Sequence, residues 1–166
     1  MIRQVKSLKT AYALAGRPAC IPKSRPRGAK ALGLQYERAL AKRLPFAQHG
    51  PWFEYWDAAG RGLCQPDFLM ETPLGQIVIL EVKYTWTPEA ILQIERLYKP
   101  VVELALGKPC VGVTVCKRLL PAMAGMTITG DIWEAIAVAR KGQRPVFQWL
   151  GKSPVFSPKM LDLKAA

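Results

Sequence analysis

The stretch QIVILEVKY, residues 76–84, constrains the chain more than any other. Nine residues rich in Val and Ile, opened by the turn TPLG, read as a strand buried on both faces. Successive side chains point to opposite faces of a strand. Val78, Leu80, Val82 and Tyr84 therefore share one face, and Ile77, Ile79, Glu81 and Lys83 share the other. A buried charge is costly unless it is paired or serves chemistry. The fold has to account for an acid and a base, two positions apart, on a core strand.

At 166 residues, half of them apolar, the chain is long enough for one domain with its own core. No apolar run approaches the length of a membrane span, so no membrane association is expected. The net charge of +12 is unevenly placed. Residues 1–30 hold eight Lys or Arg and no acid, and residues 140–166 hold six bases against Asp162 alone. Residues 31–139 carry ten bases and eleven acids, close to neutrality. Basic ends on a balanced body point to a polyanion, with nucleic acid the usual one. The plain alternative is a basic tail that only keeps the protein in solution.

Cys20, Cys64, Cys110 and Cys116 form no CxxC pair, which argues against a zinc site or a disulfide scaffold. Reduced thiols in a cytoplasmic, or nucleoid-associated, protein are expected. The basic, acid-free first twenty residues also resemble an organellar presequence in composition. His49 is the only histidine, which removes Ser/His/Asp catalysis and paired imidazoles. Carboxylates, lysine and a metal remain.

Along the chain, residues 1–28 read as a basic arm, 29–150 as a folded α/β domain, and 151–166 as a loose tail. AKALGLQYERALAKRL (29–44) predicts a helix stopped by Pro45. PWFEYW (51–56), GLCQPDFLM (62–70) and QIVILEVKY predict three strands. Thr87-Pro88-Glu89 opens a helix that runs to about Leu106 with a kink expected at Pro100. PCVGVTVCK is a fourth strand, GDIWEAIAVARKG a helix, and PVFQWL a last strand. The order helix, three strands, helix, strand implies a small mixed β-sheet flanked by helices.

Three acids do not fit a purely structural role. At about 100° per residue, Gly33, Leu34, Leu40, Ala41 and Leu44 all fall within about 60° of Glu37. The alternative is a rotated helix with Leu32, Tyr36 and Ala39 inward and Glu37 paired to a surface lysine. Asp67 opens an apolar run directly after Pro66, and alone it would pass as a turn residue. Glu81 with Lys83 alone would pass as a cross-strand ion pair. Taken together they suggest more. Asp67 and Glu81 flank a hairpin that can bring both carboxylates to one end of the sheet, with Glu37 aimed at them from the helix. Clustered carboxylates beside a lysine suit Mg²⁺, with Mn²⁺ as an alternative, and phosphodiester hydrolysis. No small-molecule cofactor is expected.

QPDF followed by LEVKY resembles the PD-(D/E)XK nuclease motif, and GLQYERALAKRL resembles the first helix of that superfamily. The Gly-x-x-x-Glu-Arg-x-Leu form is particularly similar to the archaeal Holliday-junction resolvase branch. The resemblance covers about residues 28–117 and implies a restriction-endonuclease-like core. It also implies a metal held by Asp67, Glu81, the Val82 carbonyl and Glu37, with Lys83 at the attacking water. Gln93 matches the first member of a Gln-x-x-x-Tyr pair found in some branches, but here the tyrosine, Tyr98, is five residues on. Only Cys110 and Cys116 follow the core, so the iron–sulfur cluster of some branches is not expected.

The resulting expectation is an Mg²⁺-dependent DNA endonuclease, a homodimer, directed by DNA structure (branches, junctions or ends). Lys23, Arg25, Arg27, Lys30 and Arg38 are its candidate nucleic-acid contacts. The competing expectations are a non-catalytic nucleic-acid-binding module and a nuclease acting on RNA.

Overall fold

The computed structural model describes residues 4–23, 25–119 and 125–155. It is a mixed α/β architecture. Among the described residues nine strands form two sheets: β1 Thr10–Leu14, β2 Gln48–His49, β3 Trp52–Asp57, β4 Gly60–Cys64, β5 Phe68–Glu71, β6 Ile77–Thr85, β7 Cys110–Arg118, β8 Met126–Thr129 and β9 Arg144–Gln148. The helices are α1 Ala29–Ala41, α2 Pro88–Gln93, α3 Lys99–Leu106 and α4 Ile132–Arg140, with a π-helical turn, Ile94–Tyr98, joining α2 to α3.

The six-stranded sheet has the order β2-β5-β6-β7-β9-β8. β2, β5 and β6 pair antiparallel, whereas β7 lies parallel to β6 and to β9. The parallel step from β6 to β7 requires a crossover, and the α2–α3 segment supplies it. β6 sits inside this sheet with both faces covered, as its composition implied. Val78, Leu80 and Val82 join the cluster formed by Tyr36, Leu40 and Leu44 after and within α1 and by Ile132, Ala135 and Ile136 of α4. Ile77 and Ile79 join the opposite cluster, with Val101 and Val102 of α3 and Phe53 and Tyr55 of β3. Burying each such Val, Leu or Ile stabilises the fold by about 1.5–3 kcal/mol.

Several expectations are corrected. The segment expected to be an arm is partly folded: Thr10–Leu14 pairs antiparallel with Trp52–Trp56, and Ala11 is buried. Alternation in TAYAL was masked by the lysines before it. GLCQPDFLM is two strands, in different sheets, because Pro66 has no N–H to continue a ladder. The expected tail is docked at least to Val155, which is buried and whose carbonyl accepts from Ile132 N at 3.2 Å; residues 156–166 of it lie outside the described residues. β2 and β8 carry no strong sequence signal, both being short, with β2 exposed and only Thr129 of β8 buried. Thr87 occupies the cap position of α2, yet its hydroxyl makes no capping hydrogen bond.

The irregularity expected at Pro100 falls just before it, in the π turn. There Lys99 N donates to Ile94 O, five residues back. In a regular α-helix the Arg96 carbonyl would accept from residue 100, which is proline and has no N–H. Val5 N donates to that carbonyl instead, at 3.0 Å, and so fastens the N-terminal segment to the crossover.

Candidate active site

The β5–β6 hairpin builds the site. Phe68 pairs with Leu80, which sets the preceding Asp67 beside the following Glu81 at one end of the two strands. Val82 N donates to Asp67 Oδ2 at 2.6 Å. This bond forms because Pro66 and Asp67 have left the ladder, so the carboxylate takes the place of a strand partner. Asp67 is fixed at its backbone as well, its carbonyl accepting from Gly50 N at 2.8 Å.

Glu81 is 1% exposed. Lys83 Nζ donates to its Oε1 at 2.6 Å, while Oε2 is buried without a hydrogen-bond partner. The charges shape one another. Burial, then the charges of Glu81 and Glu37, push the Asp67 carboxyl well above its usual range, against the pull of the Val82 N–H. Burial also raises Glu81, and Lys83 only partly offsets this. For Lys83, partial burial pulls the ammonium down, but Glu81, Asp67 and Glu37 outweigh it and leave the group raised.

Glu37 comes to this cluster from α1. The helix buries Tyr36 and Leu40, with Leu44 just beyond it, while Leu32 and Ala39 face solvent. The inward stripe therefore lies between the two orientations the sequence allowed, and Glu37 stands at its edge. Its carboxylate meets His49 Nε2 at 2.6 Å. His49 in turn stacks on Phe68, with ring centroids 4.7 Å apart and planes at 16°.

His49 is a residue the sequence did not single out for the site. Histidine had been considered only as a catalytic pair, and the two-residue strand that carries it has no periodicity to read. Lys117 and Arg118 were also missed. They lie at the end of β7 over the Tyr84 ring, 5.3 and 5.1 Å from its centroid, and Tyr84 follows Lys83 directly.

Gln93 and Tyr98 do meet. Gln93 Nε2 donates to Tyr98 Oη across the π turn, whose extra residue per turn brings positions five apart onto one face. The spacing that departs from Gln-x-x-x-Tyr is thus absorbed by the backbone. Burial first, then the charges of Glu81 and Asp67, push the Tyr98 phenol up, so the pair lies within electrostatic reach of the carboxylates. Of the proposed nucleic-acid contacts, Lys23, Arg25, Arg27 and Lys30 are exposed on the segment that leads into α1 and on its first turn. Arg38 is exposed on the same helix as Glu37, and no hydrogen bond or ion pair among the described residues joins it to the carboxylates.

The residues fit a hard divalent cation. Burial first raises both carboxyls, with the charges of Glu81 and Glu37 adding for Asp67 and that of Glu37 for Glu81, and one buried carboxylate oxygen has no donor. Among the described residues no three His, Cys, Asp or Glu side chains come together as a group that could hold a metal ion, so the protein's share of a site would be the Asp67 and Glu81 pair.

No helix among the described residues is long and apolar enough to cross a membrane. Neither a family model nor a curated protein sequence matches the chain. Among solved structures it is similar to a repair endonuclease from Pyrococcus abyssi, with 17% identity and a TM-score of 0.34. That match covers 81% of this chain and 50% of the other, so the chain spans about half the length of its neighbour.

Proposed function

We propose that this protein is a metal-dependent nuclease that hydrolyses phosphodiester bonds in DNA. One observation carries the proposal: a buried Glu81 oxygen without a donor, set beside a second carboxylate, Asp67, and a charged Lys83. This is a site short of one cation and placed next to another positive group.

Asp67, Glu81, the Val82 carbonyl and, at the margin, Glu37 would hold Mg²⁺ or Mn²⁺. When bound, such an ion supplies Lewis acidity for a phosphate oxygen and lowers the pKa of water. The chain's own groups do the rest. The Val82 N–H keeps the Asp67 carboxylate aimed at the site. Lys83, whose ammonium the neighbouring carboxylates favour, would act as a donor that orients water or offsets phosphate charge. His49, stacked on Phe68, holds Glu37 at the edge of the cluster. Gln93 with Tyr98 forms an accessory polar pair within electrostatic reach of it.

Structure-directed cutting of branched DNA, and a homodimer that addresses two strands, belong to the same proposal. The test is cleavage of linear and branched DNA, and of RNA, with Mg²⁺ present, together with light scattering for the dimer. Asp67→Ala and Lys83→Ala are expected to be inactive; an active variant sinks the mechanism. The ion pair that already neutralises Glu81 favours a second reading, a nucleic-acid-binding module. Salt-sensitive binding without cleavage of any substrate would decide for it.

A further inference from the structure

A second feature lies on α1, away from the carboxylates. A cleft of about 700 Å³ runs along the helix, closed on its other side by Pro26 and by Trp149 with Gly151. Arg38, Lys42 and Arg43 line it, and no carboxylate among the described residues does. On the helical wheel Arg38 and Lys42 lie about 100° and 140° from Glu37, whereas Tyr36 and Leu40 lie on the opposite side of it. One helix thus presents a core face, an edge that serves the carboxylate site, and a cationic face.

The cations do not form ion pairs among the described residues; the acids nearest in sequence are engaged elsewhere, Glu37 with His49 and Glu54 with Arg61. A cation in the last turn of a helix is explained by the helix dipole. Three of them around one cleft exceed that explanation, since the dipole effect falls off within the turn. Arg38 and Lys42 are one turn apart, about 5–6 Å between Cβ atoms, a spacing that lets both contact neighbouring phosphates of a strand. Arg25 and Arg27, exposed on either side of Pro26, extend the same charge along the opposite wall. Trp149 is 1% exposed, so the cleft offers no aromatic face for a base. Its chemistry is that of a backbone site.

We propose that this cleft is a non-catalytic anchoring site for the phosphate backbone of a nucleic acid, separate from the carboxylate cluster. It rests on the nucleic-acid part of the function proposed above and not on catalysis. A strand seated there passes on the far side of α1 from the strand at Asp67 and Glu81, so the two sites grip different stretches of one polynucleotide.

The experiment measures the affinity of the full chain for a fluorescein-labelled DNA duplex of mixed sequence by anisotropy, in EDTA, across a salt series. Arg38→Gln/Lys42→Gln/Arg43→Gln should lower affinity on the order of 100-fold near 0.15 M salt. The slope of log affinity against log salt should shrink by about 2.7, or by about 2 with a single strand as probe. The charge-retaining variant Arg38→Lys/Lys42→Arg/Arg43→Lys should restore most of the binding, which separates charge from misfolding. Cleavage by Asp67→Ala, assayed in parallel with Mg²⁺, reports the nuclease mechanism, and affinity of the glutamine variant in EDTA reports the anchoring site, so the two failures read out separately. Unchanged affinity and slope in the glutamine variant overturn the proposal. Tighter binding of poly-glutamate than of DNA, lost in the same variant, overturns it in favour of an acidic protein partner.

Discussion

The Val82 N–H donates to Asp67 Oδ2 at 2.6 Å, so the strand that carries the second carboxylate of the site also holds the first. Burial and the charge of Glu81 both work against ionisation of Asp67, and the backbone holds the two acids adjacent all the same. The arrangement is preorganised, and its electrostatic strain is available to a bound cation.

Removing one charge should therefore separate stability from activity. Asp67→Asn keeps an oxygen to accept from Val82 N but relieves the repulsion with Glu81. The metal-free variant is expected to gain about 1 kcal/mol, roughly 2–4 °C in Tm, while nuclease activity falls at least about 100-fold. Calorimetry and a cleavage assay check the two halves; a less stable variant contradicts the strain.

The pH dependence has a defined sign. Asp67 and Glu81 are raised, by burial first, so the native state holds more protons than the unfolded chain from the ordinary carboxylate range, about 4, up to the raised values. Their contribution to stability falls as pH rises through that window. Lys83, also raised, contributes below the ordinary lysine range and loses its contribution only above it. The Tm advantage of Asp67→Asn should widen between about pH 4 and 7 in EDTA and reverse with Mg²⁺. Titration by scanning calorimetry measures it.

Lys83→Ala leaves the Glu81 carboxylate, 1% exposed, without the one cation at hydrogen-bond distance among the described residues. With the ammonium side chain 30% exposed, the loss should be about 2 kcal/mol, below that of a fully buried pair. Glu81→Gln should recover most of it in the double variant. Denaturant melts of the four-member cycle give the coupling, and additive losses would refute it.

Gly112 faces the start of the π turn. A Cβ at that position would sit 2.3 Å from Ile94 Cγ2. Gly112→Ala should lose about 1–3 kcal/mol through overpacking, and the loss should shrink in an Ile94→Ala background. Urea melts of the single and double variants test this.

The π turn contains one residue more per turn than an α-helix needs. Deleting the exposed Glu95 should remove the extra residue, leave Gln93 and Tyr98 four apart, and cost no more than about 3 kcal/mol, the penalty of Pro100 opposite the Arg96 carbonyl. Deleting Val138, inside α4, should rotate that helix and unfold the protein. Thermal melts of the two deletions compare them, and equal losses would remove the π turn from the account.

The core of the site was legible from short range. Asp67 after proline, and Glu81 with Lys83 on an apolar strand, are patterns of period two that need no knowledge of the fold. Glu37 was legible in direction but not in partner, because the periodicity of an Ala-rich helix blurs its faces. His49 reaches Glu37 only because Gln48–His49 pairs with Phe68–Leu69, and a two-residue strand leaves no mark in sequence. Gln93 and Tyr98 looked mismatched because α-helical spacing was assumed where the backbone adopts another.

Local alternation and helix period, set by backbone geometry, determined which side chains share a face; from these the chain itself specified an α/β domain, its central strand and an acid–lysine pair upon it. Tertiary structure decided what those faces meet. It moved part of the basic N-terminus into a sheet, split one apparent strand between two sheets, set His49 against Glu37, and placed Arg38, Lys42 and Arg43 along one cleft. Those outcomes depend on pairings between distant segments, whose energies no local window contains.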